Sequence, residues 1–180
     1  MYRFESERLL YRPPDFGDVP AIATWLGDYD VAKNLATAPH PYCEADARAH
    51  VQQSIDAKAK GEGYNFSLLR RTDGVLVGQC GLRLRDGRHR IGYWLGKPFW
   101  GQGYATEAAK RVLAFAFRDL KAERVNAGWF ADNPASGRVL EKLGFVPDGL
   151  FLRASAARGG EVACNEVTLT AEEFRRKKAA

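Results

Sequence analysis

A glycine-rich turn that leads into an amphipathic helix constrains this sequence most. Gly101 and Gly103 flank Gln102, and from Tyr104 onward apolar residues recur every three or four positions. The predicted inner face of this helix comprises Ala105, Ala108, Ala109, Val112, Leu113, Ala116 and Phe117. The first N–H groups of a helix have no partner within it and lie at the positive end of its dipole. The pattern predicts a phosphate site, although a turn that merely joins a strand to a helix explains the same residues.

The two common nucleotide-binding loops do not fit this turn. The dinucleotide fingerprint requires a third glycine at the position that Thr106 occupies. The P-loop ends in Gly-Lys-Ser or Gly-Lys-Thr, and neither occurs in the chain. A different phosphate-bearing ligand is therefore expected.

The flanking segments place the turn in a larger unit. Residues 91–95 and 124–130 are rich in aromatic and branched side chains and are predicted strands. A strand, a helix and a second parallel strand form a right-handed crossover unit. A second helix is predicted after Asn133, a good N-cap that precedes Pro134, and it ends at Gly144.

These motifs resemble the GNAT superfamily of acetyl-CoA-dependent N-acetyltransferases, on the branch of the Rim-type ribosomal-protein N-terminal acetyltransferases. The matching stretches are residues 6–12, 77–82 and 91–145. The family's phosphate motif, Gln/Arg-x-x-Gly-x-Gly/Ala, falls on the segment from Trp100 to Ala105. Trp100 stands where the family has Gln or Arg, so the backbone cradle is kept and one side-chain contact is lost.

The resemblance implies acetyl-CoA as cosubstrate, no metal, and direct attack of an amine on the bound thioester. It assigns cofactor binding to Tyr93, Trp94, Leu95, Trp100, Gly101, Gln102, Gly103, Tyr104, Ala105, Thr106 and Asn133. It also gives Ser136 the catalytic role of stabilising the departing thiolate. A simple N-cap explains Asn133 equally well, and a first-turn serine explains Ser136 equally well.

No catalytic base is assigned from the sequence. Rim-type enzymes have a glutamate proposed for this role after the Gly-Phe motif, but residues 150–158 contain no carboxylate here. Glu161, Glu166, Asp86 and His89 are weaker candidates, because each is more often a surface group.

Two further side chains have simple interpretations. Glu107, in the first helical turn, is expected to cap the helix. Cys164 is expected to be a passive thiol rather than a covalent nucleophile, because no helix N-terminus or fixed histidine would lower its pKa.

Composition fits a soluble globular protein with one domain over residues 1–180. Hydrophobic residues make up 46% and charged residues 27% of the chain. No apolar run suits a membrane span or signal core, and the three cysteines are far apart. We therefore expect a cytoplasmic monomer or homodimer with buried free thiols and no membrane partner. The net charge of +5 comes without a nucleic-acid motif, so no nucleic-acid partner is expected.

The element order predicts a mixed, mostly antiparallel α/β sheet with helices on both faces. Asp-Gly pairs predict hairpins at residues 72–74 and 86–87, and residues 27–42 are expected to form a loop. The GNAT resemblance adds that the strands at 91–95 and 125–130 splay apart to admit the pantetheine arm.

Three functions stay open at this point. The first is acetylation of a primary amine such as a protein N-terminus, and the second is acetylation of a small amine such as an antibiotic or polyamine. The third is a non-catalytic acyl-CoA-binding module, since a fold does not fix a function. Any acceptor is expected to meet the loop at 27–42 and the turn at 156–160.

Overall fold

The structure is a computed structural model that describes residues 2–85 and 87–179. Its strands are β1 (Phe4–Glu5), β2 (Leu9–Arg12), β3 (Gly63–Arg70), β4 (Leu76–Arg85), β5 (Arg88–Leu95), β6 (Arg124–Phe130), β7 (Val146–Ser155) and β8 (Gly160–Thr170). Its helices are α1 (Val19–Gly27), α2 (Tyr29–Ala32), α3 (Glu44–Ala59), α4 (Tyr104–Arg118), α5 (Pro134–Leu143) and α6 (Ala171–Ala179). No helix in these ranges is long and apolar enough to cross a membrane.

The eight strands form one sheet in the order β1-β2-β3-β4-β5-β6-β8-β7. Neighbouring strands pair antiparallel except β5 and β6, which are parallel. The predicted mixed, mostly antiparallel sheet is therefore confirmed. The hairpin predicted at residues 72–74 joins β3 to β4, and Gly74 there has a φ of 71°.

Helices cover both faces of this sheet, as predicted. The larger core joins the sheet to α4 and α5, whereas a smaller cluster joins α1, α2 and α3. Strand β5 contributes side chains to both clusters, because alternate residues of a strand point to opposite faces. Ile91 and Leu95 belong to the larger core, and Trp94 packs against the smaller cluster.

The parallel contact between β5 and β6 is short. Only two pairs of residues are in register, His89 with Val125 and Arg90 with Asn126. Beyond them β5 continues to Leu95 and β6 to Phe130 with no further pairing between these described residues. The strands therefore part toward their carboxyl ends, as the GNAT resemblance implied.

Several local predictions were wrong. The expected loop at residues 27–42 contains α2, which spans four residues and is too short to show a helical period. Strand β1 was missed because it has only two residues. Phe115 of α4 is absent from the predicted inner face of that helix but is buried. A periodic stripe shows which side of a helix is apolar. Whether a residue near the edge of that side is buried depends on the element that packs against it.

The cysteines only partly match expectation. Cys80 and Cys164 are buried free thiols, but Cys43 is exposed at the start of α3. Its thiol lies 3.0 Å from the carboxylate of Asp46. This residue therefore takes an N-cap position rather than a place in the core.

Candidate active site

A cavity of about 490 Å³ lies where β5 and β6 part. Of the twelve residues predicted for the site, eleven line it: Tyr93, Trp94, Leu95, Trp100, Gly101, Gly103, Tyr104, Ala105, Thr106, Asn133 and Ser136. Only Gln102 is outside the lining. Segments that are distant in the sequence thus meet around one space.

The glycine turn forms one end of this cavity. Gly101 and Gly103 have φ angles of 73° and 82°, a left-handed conformation that side chains disfavour. Gly103 is also the N-cap of α4. The backbone N–H groups of residues 101–106 make no backbone hydrogen bond within the described chain. Together they form a cradle of free donors at a helix N-terminus, which suits a phosphate.

Arg8 brings a cation to this cradle. Its Nη1 donates to the carbonyl oxygen of Gln102 at 2.8 Å, and its guanidinium lies 4.5 Å from the centre of the Tyr104 ring. A Cβ built on Gly103 would lie 3.4 Å from Arg8 Nη2. The sequence match at residues 6–12 carried no role for this arginine. Its position depends on contacts between the N-terminal segment and α4, which no local sequence pattern shows.

Glu107 anchors that arginine instead of capping the helix as expected. Its carboxylate accepts hydrogen bonds at 2.7 Å from Ser6 Oγ, from the backbone N–H of Arg8 and from Arg8 Nε. Burial by itself would raise the pKa of Glu107, but these hydrogen bonds outweigh burial and hold the pKa below its usual value. Glu107 therefore ties the N-terminal segment to the first turn of α4.

Trp100 and Gln102 stabilise the turn itself. The Trp100 indole donates to the carbonyl oxygen of Leu95 at 2.8 Å, and the Gln102 amide donates to that of Pro98 at 2.8 Å. The Gln102 side chain therefore faces away from the cavity. Its predicted contact with the cofactor could come only from its backbone.

Tyr93 and Ser136 form a hydrogen-bonded pair on the cavity wall. The Tyr93 hydroxyl lies 2.9 Å from Ser136 Oγ and 3.1 Å from the Ser136 carbonyl oxygen. Burial raises the pKa of Tyr93, so its phenol stays protonated. The pair thus presents neutral hydroxyl donors where β5 faces the start of α5.

Asn133 has the N-cap role considered from the sequence. Its Oδ1 accepts from the backbone N–H of Ser136 at 3.3 Å. Its amide nitrogen makes no hydrogen bond within the described residues and the side chain lines the cavity. Two amide donors therefore stay available to a ligand.

At the other end of the cavity, the lining residues Arg90 and Arg153 share the buried carboxylate of Glu166. Both Nη atoms of Arg90 donate hydrogen bonds to the Glu166 carboxylate, and the bond from Nη2 is 2.9 Å long. Arg153 Nε donates to the same carboxylate at 2.6 Å. Cys164 Sγ lies 3.6 Å from Oε1 of the same carboxylate. Three of these donors point at Oε1 and one, Arg90 Nη1, points at Oε2.

This network removes Glu166 from the base candidates. Burial by itself would raise the pKa of Glu166, but the hydrogen bonds from the two arginines outweigh burial and lower it. The carboxylate is also buried and does not line the cavity, so an amine bound there does not reach it. Glu166 therefore orients arginines rather than transferring protons.

Gly128 makes the network possible. A Cβ at this position would lie 2.6 Å from Arg90 Nη2 and 2.8 Å from Glu166 Oε1. The guanidinium of Arg90 can therefore cross β6 only over a residue without a side chain. A glycine inside a predicted strand was the one sequence signal of this crossing.

Two of the remaining base candidates, Glu161 and His89, do not line the cavity. Glu161 is also exposed. Asp86 lies outside the described residues. Cys164 does line the cavity, but burial raises the pKa of its thiol, so the nucleophilic thiolate is disfavoured. The charged groups among the described lining residues are all cations: Arg90, Arg138, Lys142 and Arg153.

The two segments expected to meet an acceptor contact each other. The backbone N–H of Ala156 donates to the carbonyl oxygen of Ala36 at 3.0 Å, and Arg158 Nε donates to that of Lys33 at 2.9 Å. Residues 34–36 also line the cavity. The turn between β7 and β8 is thus held against the segment after α2, beside the cavity.

Comparison with known proteins agrees with this architecture. A family model described as an acetyltransferase (GNAT) domain matches residues 8–146. The chain therefore belongs to the GNAT acetyltransferase family and is an N-acetyltransferase. A protein of Bacillus licheniformis named uncharacterized N-acetyltransferase p20 is 29% identical over 157 residues, which cover 86% of this chain and 88% of that protein.

Solved structures share the fold. A GNAT-family acetyltransferase from Bacillus anthracis superposes with a TM-score of 0.83 at 28% identity. The match covers 96% of this chain and 100% of that one. RimL, a ribosomal L7/L12 alpha-N-protein acetyltransferase solved with coenzyme A, superposes with a TM-score of 0.82 at 20% identity. That match covers 94% of this chain and 98% of RimL, and at this identity it shows the fold alone.

We expect Glu166→Gln to destabilise the protein in a pH-dependent way. At neutral pH the loss should be about 1–3 kcal/mol, because two arginines lose a charged partner. The native pKa of Glu166 is lowered, so its contribution is full above the unfolded pKa of about 4.3. The contribution is lost as the pH falls through the native pKa, so the two proteins should converge in acid.

Urea unfolding across this pH range measures the difference. Glu161→Gln, on the exposed part of β8, is the matched control and should stay within about 0.5 kcal/mol of wild type. A loss for Glu166→Gln that is the same at every pH would show that the ionised carboxylate is not what stabilises this end of the sheet.

Proposed function

We propose that the protein transfers the acetyl group of acetyl-CoA to a primary amine by direct attack on the thioester. The observation that carries this proposal is the continuity of one cavity from the glycine cradle, along the gap between β5 and β6, to the pair of Tyr93 and Ser136. A neighbour of the same fold was solved with coenzyme A, which supports the choice of donor.

The residues present fit the parts of coenzyme A in order. The N–H groups of residues 101–106, with Arg8 beside them, would hold the pyrophosphate. Arg138 and Lys142 line the cavity from α5 and offer cations to phosphate oxygens. The free edge of β5 and the amide of Asn133 would hydrogen-bond the pantetheine amides.

The chemistry needs few groups from the protein. The amine nitrogen attacks the thioester carbon, the carbon–sulfur bond breaks, and the amide and CoA thiol are the products. Ser136 Oγ–H would donate to the departing sulfur, while Tyr93, whose O–H donates to the Ser136 carbonyl oxygen, would hold the serine in place. The amine must be neutral to attack, and no carboxylate is found among the described lining residues, so its surplus proton would pass through water to the departing sulfur.

A substitution in the glycine cradle tests whether it binds the phosphates of CoA. Gly103→Val places a branched side chain at a left-handed position beside Arg8, which should displace the N–H donors. Calorimetry should show CoA binding weakened at least about tenfold, because several charge-assisted hydrogen bonds are lost.

Gly74→Val is the matched control for this variant. Gly74 has a similar φ of 71° in the β3–β4 hairpin and does not line the cavity, so this variant should bind CoA like wild type. If Gly103→Val also binds CoA with wild-type affinity, the phosphates lie elsewhere.

The second prediction concerns turnover. Ser136→Ala should lower kcat by about one to two decades and leave CoA affinity nearly unchanged, because a hydrogen bond to a developing charge is worth roughly 1.5–3 kcal/mol. Tyr93→Phe should lower kcat less, since the serine hydroxyl remains. The assay detects the acetylated product by mass over a panel of peptide N-termini and small amines.

Ser54→Ala serves as the control for this assay, because Ser54 lies on α3 and outside the cavity lining. An unchanged kcat for Ser136→Ala would remove this serine from the mechanism. Failure of the wild type to acetylate any amine of the panel would contradict the proposed reaction.

A further inference from the structure

Arg153 presents unused hydrogen-bond donors at the end of the cavity away from the glycine turn. Only its Nε is bonded, to Glu166 at 2.6 Å. Its two terminal Nη groups make no hydrogen bond to any residue that the structure describes, and the side chain is 39% exposed. Arg153 lines the cavity, so these donors are within reach of a bound molecule.

Two neighbouring arginines show how an arginine with a purely structural role uses its terminal hydrogen-bond donors. Arg90 gives both Nη groups to Glu166 and so joins β5 to β8 across β6. Arg158 gives Nε to the carbonyl oxygen of Lys33 and both Nη groups to Asp132. The terminal nitrogens of Arg90 and Arg158 are therefore hydrogen-bonded, whereas those of Arg153 are not. Holding the sheet together does not account for the terminal nitrogens of Arg153.

The charge at this end of the cavity is not balanced. Two guanidinium groups share the single carboxylate of Glu166, which leaves one net positive charge. No acidic side chain occurs in the described lining of the cavity. A concave site with uncompensated positive charge attracts anions, and the planar fork of arginine suits a carboxylate.

The phosphates of a donor would not neutralise this charge. The cradle follows Leu95 at the carboxyl end of β5, whereas Arg90 lies five positions earlier on the same strand. At about 3.3 Å per residue, Leu95 and Arg90 are about 16 Å apart along β5. The anion at Arg153 must therefore belong to what approaches the reacting end.

We propose that the acceptor is a primary amine that also carries a carboxylate, and that the terminal nitrogens of Arg153 bind this carboxylate. The inference rests on the proposed acetyl transfer and deepens it by naming the acceptor class. A free amino acid and a peptide with an acidic residue next to its N-terminus share this chemistry. The walls formed by residues 34–36 and the turn at 156–158 flank the place where either would enter.

The test compares acceptors that differ only in a carboxylate. Free amino acids are paired with their amides, and dipeptide amides with Glu at the second position are paired with the same peptides with Gln. Wild type should give a higher kcat/KM with the carboxylate member of at least one pair. Which pair responds distinguishes a small acceptor from a peptide N-terminus.

Variants then assign the preference to Arg153. Arg153→Gln should reduce the ratio of kcat/KM between carboxylate and amide acceptors by about ten- to hundredfold, mainly through KM of the carboxylate member. Arg153→Lys keeps the charge without the fork and should retain part of the ratio. It also keeps a cation beside Glu166 if Arg153→Gln folds poorly. Arg88→Gln removes an exposed charge of β5 outside the cavity lining and should keep the wild-type ratio.

Three results would overturn the inference while leaving acetyl transfer intact. The first is equal turnover of carboxylate and amide acceptors by wild type. The second is an Arg153→Gln variant that slows both members equally, which is the mark of a structural role. The third is a preference for succinyl-CoA over acetyl-CoA that depends on Arg153, which would assign the carboxylate to the donor. Acetylation of no acceptor would instead contradict the proposed reaction itself.

Discussion

The site depends on how little of β5 pairs with β6. Two residue pairs join the parallel strands, and beyond Arg90 and Asn126 the two strands no longer pair with each other. Unpaired strand edges are costly to bury, so a gap of this kind suits a ligand that carries its own amide groups. Arg90 secures the closed end of the gap through Glu166, and it reaches Glu166 because Gly128 has no side chain. The gap between β5 and β6 and the ion pairs that hold its paired end together thus belong to the same part of the sheet.

The glycine cradle depends on a segment far away in the sequence. Left-handed φ angles at Gly101 and Gly103 turn the chain into α4, and the free N–H groups follow from helix geometry. The position of α4 relative to the N-terminus comes from Glu107, which binds the backbone and side chain of Arg8. Arg8 then supplies a cation beside the cradle, where Trp100 replaces the polar side chain that the GNAT motif has at its first position.

Local chemistry could be predicted from the sequence, and contacts between distant segments could not. The turn at Gly101, the N-cap at Asn133 and the helix after Gly103 are encoded within a few residues, and the structure has all three. The cluster of Arg90, Arg153 and Glu166 comes from three strands, so no spacing announces it. Helix α2 is too short to produce a period. The domain boundary and the binding roles of the site residues stay predictions.

A crystal structure with coenzyme A tests the central claim most directly. We expect the pyrophosphate on the N–H groups of residues 101–106 and the pantetheine between β5 and β6. We also expect the sulfur within hydrogen-bonding distance of Ser136 Oγ, on the side of the cavity that leads to Arg153. Coenzyme A bound outside the gap, or with its sulfur away from Ser136, would contradict the account.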